Sequence, residues 1–435
     1  MTTQRRTFLK AAGIGAAAMS VGQRPSRAAE SRQLVVGVIG TGGMGTQHVR
    51  ALATRQDVDL AYLCDADQNR LAGAVKHVEE ARGKAPKTVK DLRQILDDAS
   101  VDAVFIATPD HWHAPASILA LDAGKHVYVE KPCCHNIREG GLMVEAVRRS
   151  GKLLQVGTQS RSTACVAEAI RRVHAGEIGE VLVAKAWNSQ RRGSIGKTQP
   201  SDPPAHLDYD LWLGPAPEVP FRANMLPAIW RWWYDFGCGD IGNDGVHDID
   251  VALWGLNPGV HPTTAACLGG KYFFDDDQQF PDTQYAVFEY PQDGSSGKKK
   301  QLIFEQRIWS PYAQEGYSNG AALYGEEGML LIGHTSGWRL YGPRNKLLAE
   351  QIGRCDLPAH HQNFFDCIRG DQKRLNADVT SGHRAATVVH LANIAARMGR
   401  ALQFDPQTEK IVNDAEANAL VAREYRDGHW AVPRA

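Results

Sequence analysis

The chain has 435 residues with 43% hydrophobic and 8% aromatic content, enough material for two or three domains with large cores. Forty-nine basic residues balance forty-nine acidic ones, so no net charge points to nucleic acid or an anionic membrane surface, and a small-molecule partner is expected. The eight cysteines lack the CxxC spacing of a zinc site, which predicts no structural metal.

The chain opens with Gln4-Arg5-Arg6-Thr7-Phe8-Leu9-Lys10, which matches a bacterial twin-arginine signal. The Ala/Gly-rich run from Ala11 to Val21 that follows is too short to span a bilayer as a stable helix. Residues 1–30 are therefore expected to be an export segment, with Ser26-Arg27-Ala28 offering small residues for cleavage after Ala28. An N-terminal amphipathic helix is the competing reading. Export predicts a periplasmic protein with no membrane association once the segment is removed. Twin-arginine export carries folded proteins, commonly because a cofactor must be loaded in the cytoplasm, and a chain folded there need not form disulfides.

From Leu34 an apolar run, Leu-Val-Val-Gly-Val-Ile, feeds Gly40-Thr41-Gly42-Gly43-Met44-Gly45, and a helical pattern continues to Ala53. A second apolar run, Val58 to Cys64, ends in Asp65, and 65 − 45 = 20 residues separate it from the third glycine of this GxGxxG. Strand, turn, helix and acidic residue together form the dinucleotide fingerprint. Gly40 permits the tight turn, Gly42 lets the backbone approach a pyrophosphate, and Gly45 allows close helix packing. Gly43 and Met44 complete the turn at the positive helix end. Asp65 would accept from the adenosine ribose hydroxyls and repel a 2′-phosphate, so NAD is favoured over NADP. A glycine-rich turn that binds nothing is the plainer alternative.

Val101 to Ala107 reads as a buried strand ending in Thr108-Pro109-Asp110-His111-Trp112-His113. Two histidines two apart lack a third ligand nearby, so cofactor-edge contacts through Thr108, Pro109 and His113 are favoured over metal. A helix to Ala123 leads into His126–Val129, which ends in Glu130-Lys131-Pro132. That places Glu130 and Lys131 at a strand's carboxyl edge, where open α/β sheets bind ligands. A surface lysine at a strand end is the alternative for Lys131. Leu153 to Gly157 closes a doubly wound parallel sheet over residues 31–158.

Residues 159–435 read as an α+β domain. Glu180–Trp187, Thr283–Tyr290, Lys300–Trp309, Ala321–Tyr324 and Met329–Ile332 are strand-length runs between turn residues, as in an open, mostly antiparallel sheet. The long segment from Asn188 to Gly239 is rich in Pro, Trp and Arg, including Trp230, Arg231 and Trp232. Aromatic faces suit sugar rings, so these residues are a candidate substrate wall, or else a domain-interface plug. Next comes Asn243-Asp244-Gly245-Val246-His247-Asp248, in which Asn243, His247 and Asp250 fall on one helical face. His247 can accept a proton near neutral pH, or it is a satisfied core histidine.

The combination GVIGTGGMG, CDAD, ATPDHWH, EKP and GNDGVHDIDVALW resembles the Gfo/Idh/MocA oxidoreductase family over nearly the whole mature chain, and HHQNFFDCIRG and GHRAATVVHLANIAARMGR resemble its exported bacterial members. The resemblance implies a Rossmann domain, an antiparallel domain that places a sugar or polyol over the nicotinamide, and catalysis and substrate binding by Lys131. Much of the family has an acidic residue four before the histidine, where this chain has Asn243, with Asp244 displaced by one. The acid/base is thus open among Asn243, Asp244 and His247. Asn243 and His247 are also expected to touch substrate. A homo-oligomer, dimer or tetramer, is expected. The function implied is oxidation of a sugar or polyol by bound NAD. A glycosidase that oxidises the ring transiently and a noncatalytic sugar sensor are the alternatives.

Overall fold

The computed structural model describes residues 32–291 and 297–434. The expected export segment, with Arg5, Arg6 and the site after Ala28, lies outside the described residues.

Strand β1 (Leu34–Ile39) is buried along almost its whole length, as a strand covered on both faces must be, and it turns directly into α1 (Gly43–Ala53). The alternation continues through β2 (Val58–Cys64), α2 (Gln68–Arg82), β3 (Lys87–Val89), α3 (Arg93–Leu96), β4 (Ala103–Ile106), α4 (Asp110–Asp122), β5 (His126–Val129), α5 (Ile137–Ser150) and β6 (Leu154–Val156). All six strands run parallel in the order β3-β2-β1-β4-β5-β6. Strand order reverses between β1 and β4, which opens a crevice at their carboxyl ends. Local chemistry fixes the helix ends around it. The Asp67 carboxylate accepts from the N–H groups of Asn69 and Arg70 to start α2, and Asn136 starts α5 through Glu139 N–H.

The chain then adds α6 (Ala164–His174), β7 (Val181–Asn188), α7 (Tyr209–Leu213), α8 (Val246–Leu256), β8 (Thr264–Gly270), β9 (Thr283–Tyr290) and β10 (Lys300–Arg307). It continues with β11 (Asn319–Gly325), β12 (Met329–Gly333), β13 (Gly337–Gly342), β14 (Lys346–Gln351), α9 (Leu357–Arg369), α10 (Val379–Met398), β15 (Leu402–Asp405), β16 (Lys410–Ile411) and α11 (Ala415–Ala419). The second sheet has the order β14-β13-β12-β11-β7-β10-β9-β8-β15-β16 and is antiparallel except between β7 and β10. Period-two alternation sends Ala286, Phe288, Leu302 and Phe304 into a core shared with α6, α8 and α10.

All five strands read from the sequence are present. Those not read, β8 and β13–β16, are short, glycine-rich or largely exposed, and carry little apolar signal. Residue 158 marks where the first sheet ends, but the packing crosses that line. Phe364 and Phe365 of α9 join Phe105 and Tyr128 in the Rossmann core, and Val379, Ala386 and Ala431 join the core on its other face. No described helix is long and apolar enough to cross a membrane.

Candidate active site

A cavity of about 630 Å³ runs from the β1–α1 turn to the start of α8. Its first end is built of backbone. Gly40 holds φ at +86°, and a Cβ there would lie 2.6 Å from Ala107 O; on Gly45 it would lie 1.9 Å from Gly40 O. Only glycine fits either place. Gly42, Gly43 and Met44 line the cavity, while Gly45 packs behind them. Asp65 also lines it, accepting from the Thr41 N–H at 2.7 Å, the Thr41 hydroxyl at 2.9 Å and the Asp67 N–H at 2.9 Å. Burial pushes its carboxyl up from the ordinary value against these hydrogen bonds.

Thr108, Pro109, His113 and Glu130 line the middle. The two ring nitrogens of His113 lie 2.6 Å from Pro132 O and 2.9 Å from Thr108 O, so the ring braces the lysine loop against the end of β4. His111 Nε2 instead meets Trp212 O at 3.0 Å, which gives the HWH triplet a structural use for both rings. Glu130 lies 3.0 Å from His48 Nε2; burial would raise its carboxyl, but that contact and the nearby Lys131 and His113 hold it below the ordinary range. The glycine cradle, the helix end and the acidic residue fit a dinucleotide.

The far end is built of side chains. Lys131 Nζ donates to the backbone O of Asn243 at 2.6 Å. Ile241–Gly245 forms a π-helical turn leading into α8, and Asn243, Asp244 and His247 all line the cavity. Asp250, expected on the same face, instead pairs with Arg161 Nε at 2.7 Å, outside the lining. The Asn243 side chain donates to Asp240 Oδ1 at 2.9 Å, and Arg192 bridges Asp240, at 3.1 Å, and Asp244. Burial would raise Asp244, but Arg192, then Lys131 and His334, hold it below the ordinary carboxylate value. Of the two residues, Asp244 brings a carboxylate to the lining, while the Asn243 amide is taken up by Asp240.

His247 is buried apart from the face it turns to the cavity, and burial, followed by the charges of Lys131, His334 and His360, keeps it well below its ordinary value, hence neutral. Its ring meets His334 edge-on at 5.0 Å, and His334 Nδ1 lies 3.1 Å from both oxygens of Asp248. Burial would lower His334, but Asp248 more than offsets it. Trp230 and Arg231 line the cavity; Trp232 does not, being 5% exposed and held in the packing by its carbonyl, which accepts from Gln279 N–H at 2.9 Å. Trp112, Trp212 and Trp430 also line the cavity, Trp430 from beneath Arg93 of α3. Sequence reasoning missed Arg192, Asp240, His334 and Trp212. The arginine and tryptophan content of the long segment was the available signal for Arg192 and Trp212; His334, in the turn after β12, had none.

A family model described as an oxidoreductase family, NAD-binding Rossmann fold, matches residues 34–158, and its companion for the C-terminal alpha/beta domain matches 182–259 and 339–432. The chain belongs to the Gfo/Idh/MocA oxidoreductase family. Its first domain is the family's NAD-binding Rossmann fold. Inositol 2-dehydrogenase 2 of Saccharopolyspora erythraea is 32% identical over 256 residues, 58% of this chain and 62% of that protein. The alpha-N-acetylgalactosaminidase of Shewanella oneidensis is 31% identical over 209 residues, 42% of this chain and 45% of that protein. The chain thus spans less than two thirds of the length of either relative. The WlbA dehydrogenase of Bordetella pertussis, solved with NADH and UDP-GlcNAcA, shares the fold with a TM-score of 0.64 at 20% identity, over 86% of this chain and 99% of that one.

Proposed function

We propose that the protein is an exported NAD-dependent oxidoreductase acting on a hydroxyl carbon of a sugar or polyol, with its cofactor resident. The observation that carries this is one cleft in which the dinucleotide cradle meets Lys131, Asp244 and His247. NAD in the cradle supplies the hydride acceptor. Lys131 orients the reacting hydroxyl, and His247, kept neutral, takes its proton. Asp244, held by Arg192, supplies an acceptor for a neighbouring hydroxyl, and Trp230 offers a face to the ring. The inositol dehydrogenase relative agrees with a polyol substrate.

Residence of the cofactor follows from export, because the periplasm has no known free NAD pool. The long segment supports it: the Gln68 N–H donates to His206 O and the Asp208 N–H to Ala66 O, both at 2.9 Å, and Leu207 and Leu211 line the cleft beside Asp65. Protein purified from cells is expected to release NAD on denaturation, identified chromatographically. No NAD, and no binding on titration, would remove the reading; NADP would remove the role of Asp65. For export, replacing Arg5 and Arg6 by lysine is expected to strand the precursor in the cytoplasm, and normal periplasmic accumulation would overturn it.

A redox-neutral glycosidase is the second reading, favoured by the likeness to the N-acetylgalactosaminidase. Release of a chromogenic aglycone without added NAD selects it; oxidation of free sugars selects the first. Self-association is supported by apolar residues left exposed on the outer face of the second sheet, where Leu268 of β8 pairs with Tyr285 of β9. A monomer by sedimentation at micromolar concentration would remove it.

A further inference from the structure

Away from the cleft, three side chains from widely separated parts of the sequence converge. His261 precedes β8, His383 lies in the second turn of α10, and Glu409 sits in the β15–β16 turn. Glu409 Oε1 lies 2.8 Å from His383 Nε2 and 3.3 Å from His261 Nε2, and the three ligand-capable atoms all fall within 4.8 Å of one another. We propose that His261, His383 and Glu409 form a binding site for a divalent late first-row cation, zinc in the first instance, that ties three segments of the second domain together.

The spacing is the first argument. Ligand atoms about 2.0–2.1 Å from a tetrahedral zinc stand about 3.3 Å apart; the His261 contact has that length, and the His383 contact, at 2.8 Å, opens by about half an ångström as the ion enters. An ion entering between them takes the Nε2 lone pair of each imidazole, and the proton that each neutral ring carried on Nε2 moves to Nδ1, so that both rings ligate in their neutral form. Two imidazoles and one carboxylate form a borderline donor set suited to zinc and its neighbours rather than to magnesium or calcium.

The surroundings hold the donors in place. The His261 and His383 rings meet at 5.0 Å and 68°, with Phe404 edge-on to His261 on its other side at 6.2 Å. His383 Nδ1 faces the Thr387 hydroxyl at 3.5 Å, the outer partner that orients a ligating imidazole. His261 Nδ1 is buried without a partner, so no hydrogen bond on its far side explains the ring's position. Glu409 adopts φ +53°, a left-handed conformation costly for a residue with a side chain, and that backbone delivers its carboxylate to the two rings. The Glu409 side chain remains 27% exposed, which leaves the ion a route in.

The site is set against α5. A Cβ on Gly140 would lie 2.0 Å from His383 Nδ1, and one on Gly141 3.1 Å from Glu409 Oε2. A bound ion would thus clamp α10, the segment before β8 and the β15–β16 turn to one another where they pack against α5, and its binding energy would become stability of the second domain. The expectation of no structural metal rested on cysteine spacing, and this cluster uses no cysteine.

The test uses the whole chain, stripped with a chelator and titrated with Zn(II) against a chromophoric competitor. One equivalent of tight zinc is expected, with a rise in Tm. Glu409→Gln, near in shape, is expected to abolish both while circular dichroism stays native; if it does not fold, His261→Gln takes its place. Co(II) in the wild type is expected to give the visible d–d bands of a nitrogen- and oxygen-bound ion, kept in His247→Ala and lost in Glu409→Gln. No uptake beyond the competitor would overturn the proposal. So would zinc that survives Glu409→Gln and vanishes in His247→Ala, which would place the ion in the cleft.

Discussion

The two ends of the cleft are made of different materials. At the β1–α1 turn the work is done by backbone: Gly40 and Gly45 leave out side chains so that carbonyls, N–H groups and a helix end come close. At the α8 end it is done by charged side chains gathered from β5, the long segment, the π-turn and the turn after β12, namely Lys131, Arg192, Asp240, Asp244 and His334. A backbone cradle tolerates almost no substitution at its glycines. A charge cluster tolerates substitution but changes its chemistry.

The largest expected effect breaks the first end. Gly45→Ala puts a Cβ 1.9 Å from Gly40 O, a backbone atom that cannot move aside. Such overpacking costs about 1–3 kcal/mol or more, and the purified variant is expected to carry no NAD and to melt earlier. Gly73→Ala in α2 is the control, since a Cβ there meets nothing within 4 Å and the residue lies outside the cleft lining. Equal NAD content in the two variants would show that the glycine geometry does not hold the cofactor.

This difference also explains how far the sequence was readable. The cradle lies in one contiguous motif, because a tight turn needs its glycines at fixed local offsets, and Asp65 follows at a distance set by one helix and one strand. Lys131 was legible for the same reason, at the end of a short apolar run. The charge cluster has no such spacing. Arg192 reaches Asp240 and Asp244 because the end of β7 lies against the π-turn, where the Asn188 amide also donates to Asp240, and His334 reaches Asp248 because β12 and α8 lie against the same core. Asp250 shows the limit most plainly. A helical period put Asn243, His247 and Asp250 on roughly one face, but His247 and Asp250, three apart within α8, point about 60° away from each other, and that offset leaves Asp250 on Arg161.

The next effect is on turnover. Lys131→Met and His247→Ala are each expected to lower kcat by about 10² to 10⁴ with NAD still bound, the scale of a positioned acid/base. Asp244→Asn is expected to resemble them, since it removes the carboxylate beside Lys131 and Arg192. Asn243→Ala is expected to act mainly on KM, because the contact that holds Lys131 is the backbone O of Asn243, which alanine keeps. Full activity in both the Lys131 and His247 variants would end the site assignment. A larger loss of kcat in Asn243→Ala than in Asp244→Asn would return the acid role to position 243.

The smallest effect is a shift of the pH profile, and it tests whether the charges at this end act on one another. His247 must be neutral to take a proton, and burial, then Lys131 and His334, disfavour its charged form. The acid limb of kcat/KM, where His247 becomes protonated and activity falls, is therefore expected below the ordinary histidine value of about 6.5. His334 is one of the positive neighbours, since Asp248 at 3.1 Å raises it and so favours its charged form. His334→Gln removes that charge and leaves Lys131 and the burial in place. The protonated form of His247 then becomes less costly, its value moves up, and the acid limb moves toward neutral pH, with the plateau rate changed less than in His247→Ala. A limb that stays fixed in His334→Gln would mean that His334 and Asp248 only brace the β12 turn. A limb that moves to lower pH would mean that His247 is not the group that titrates there.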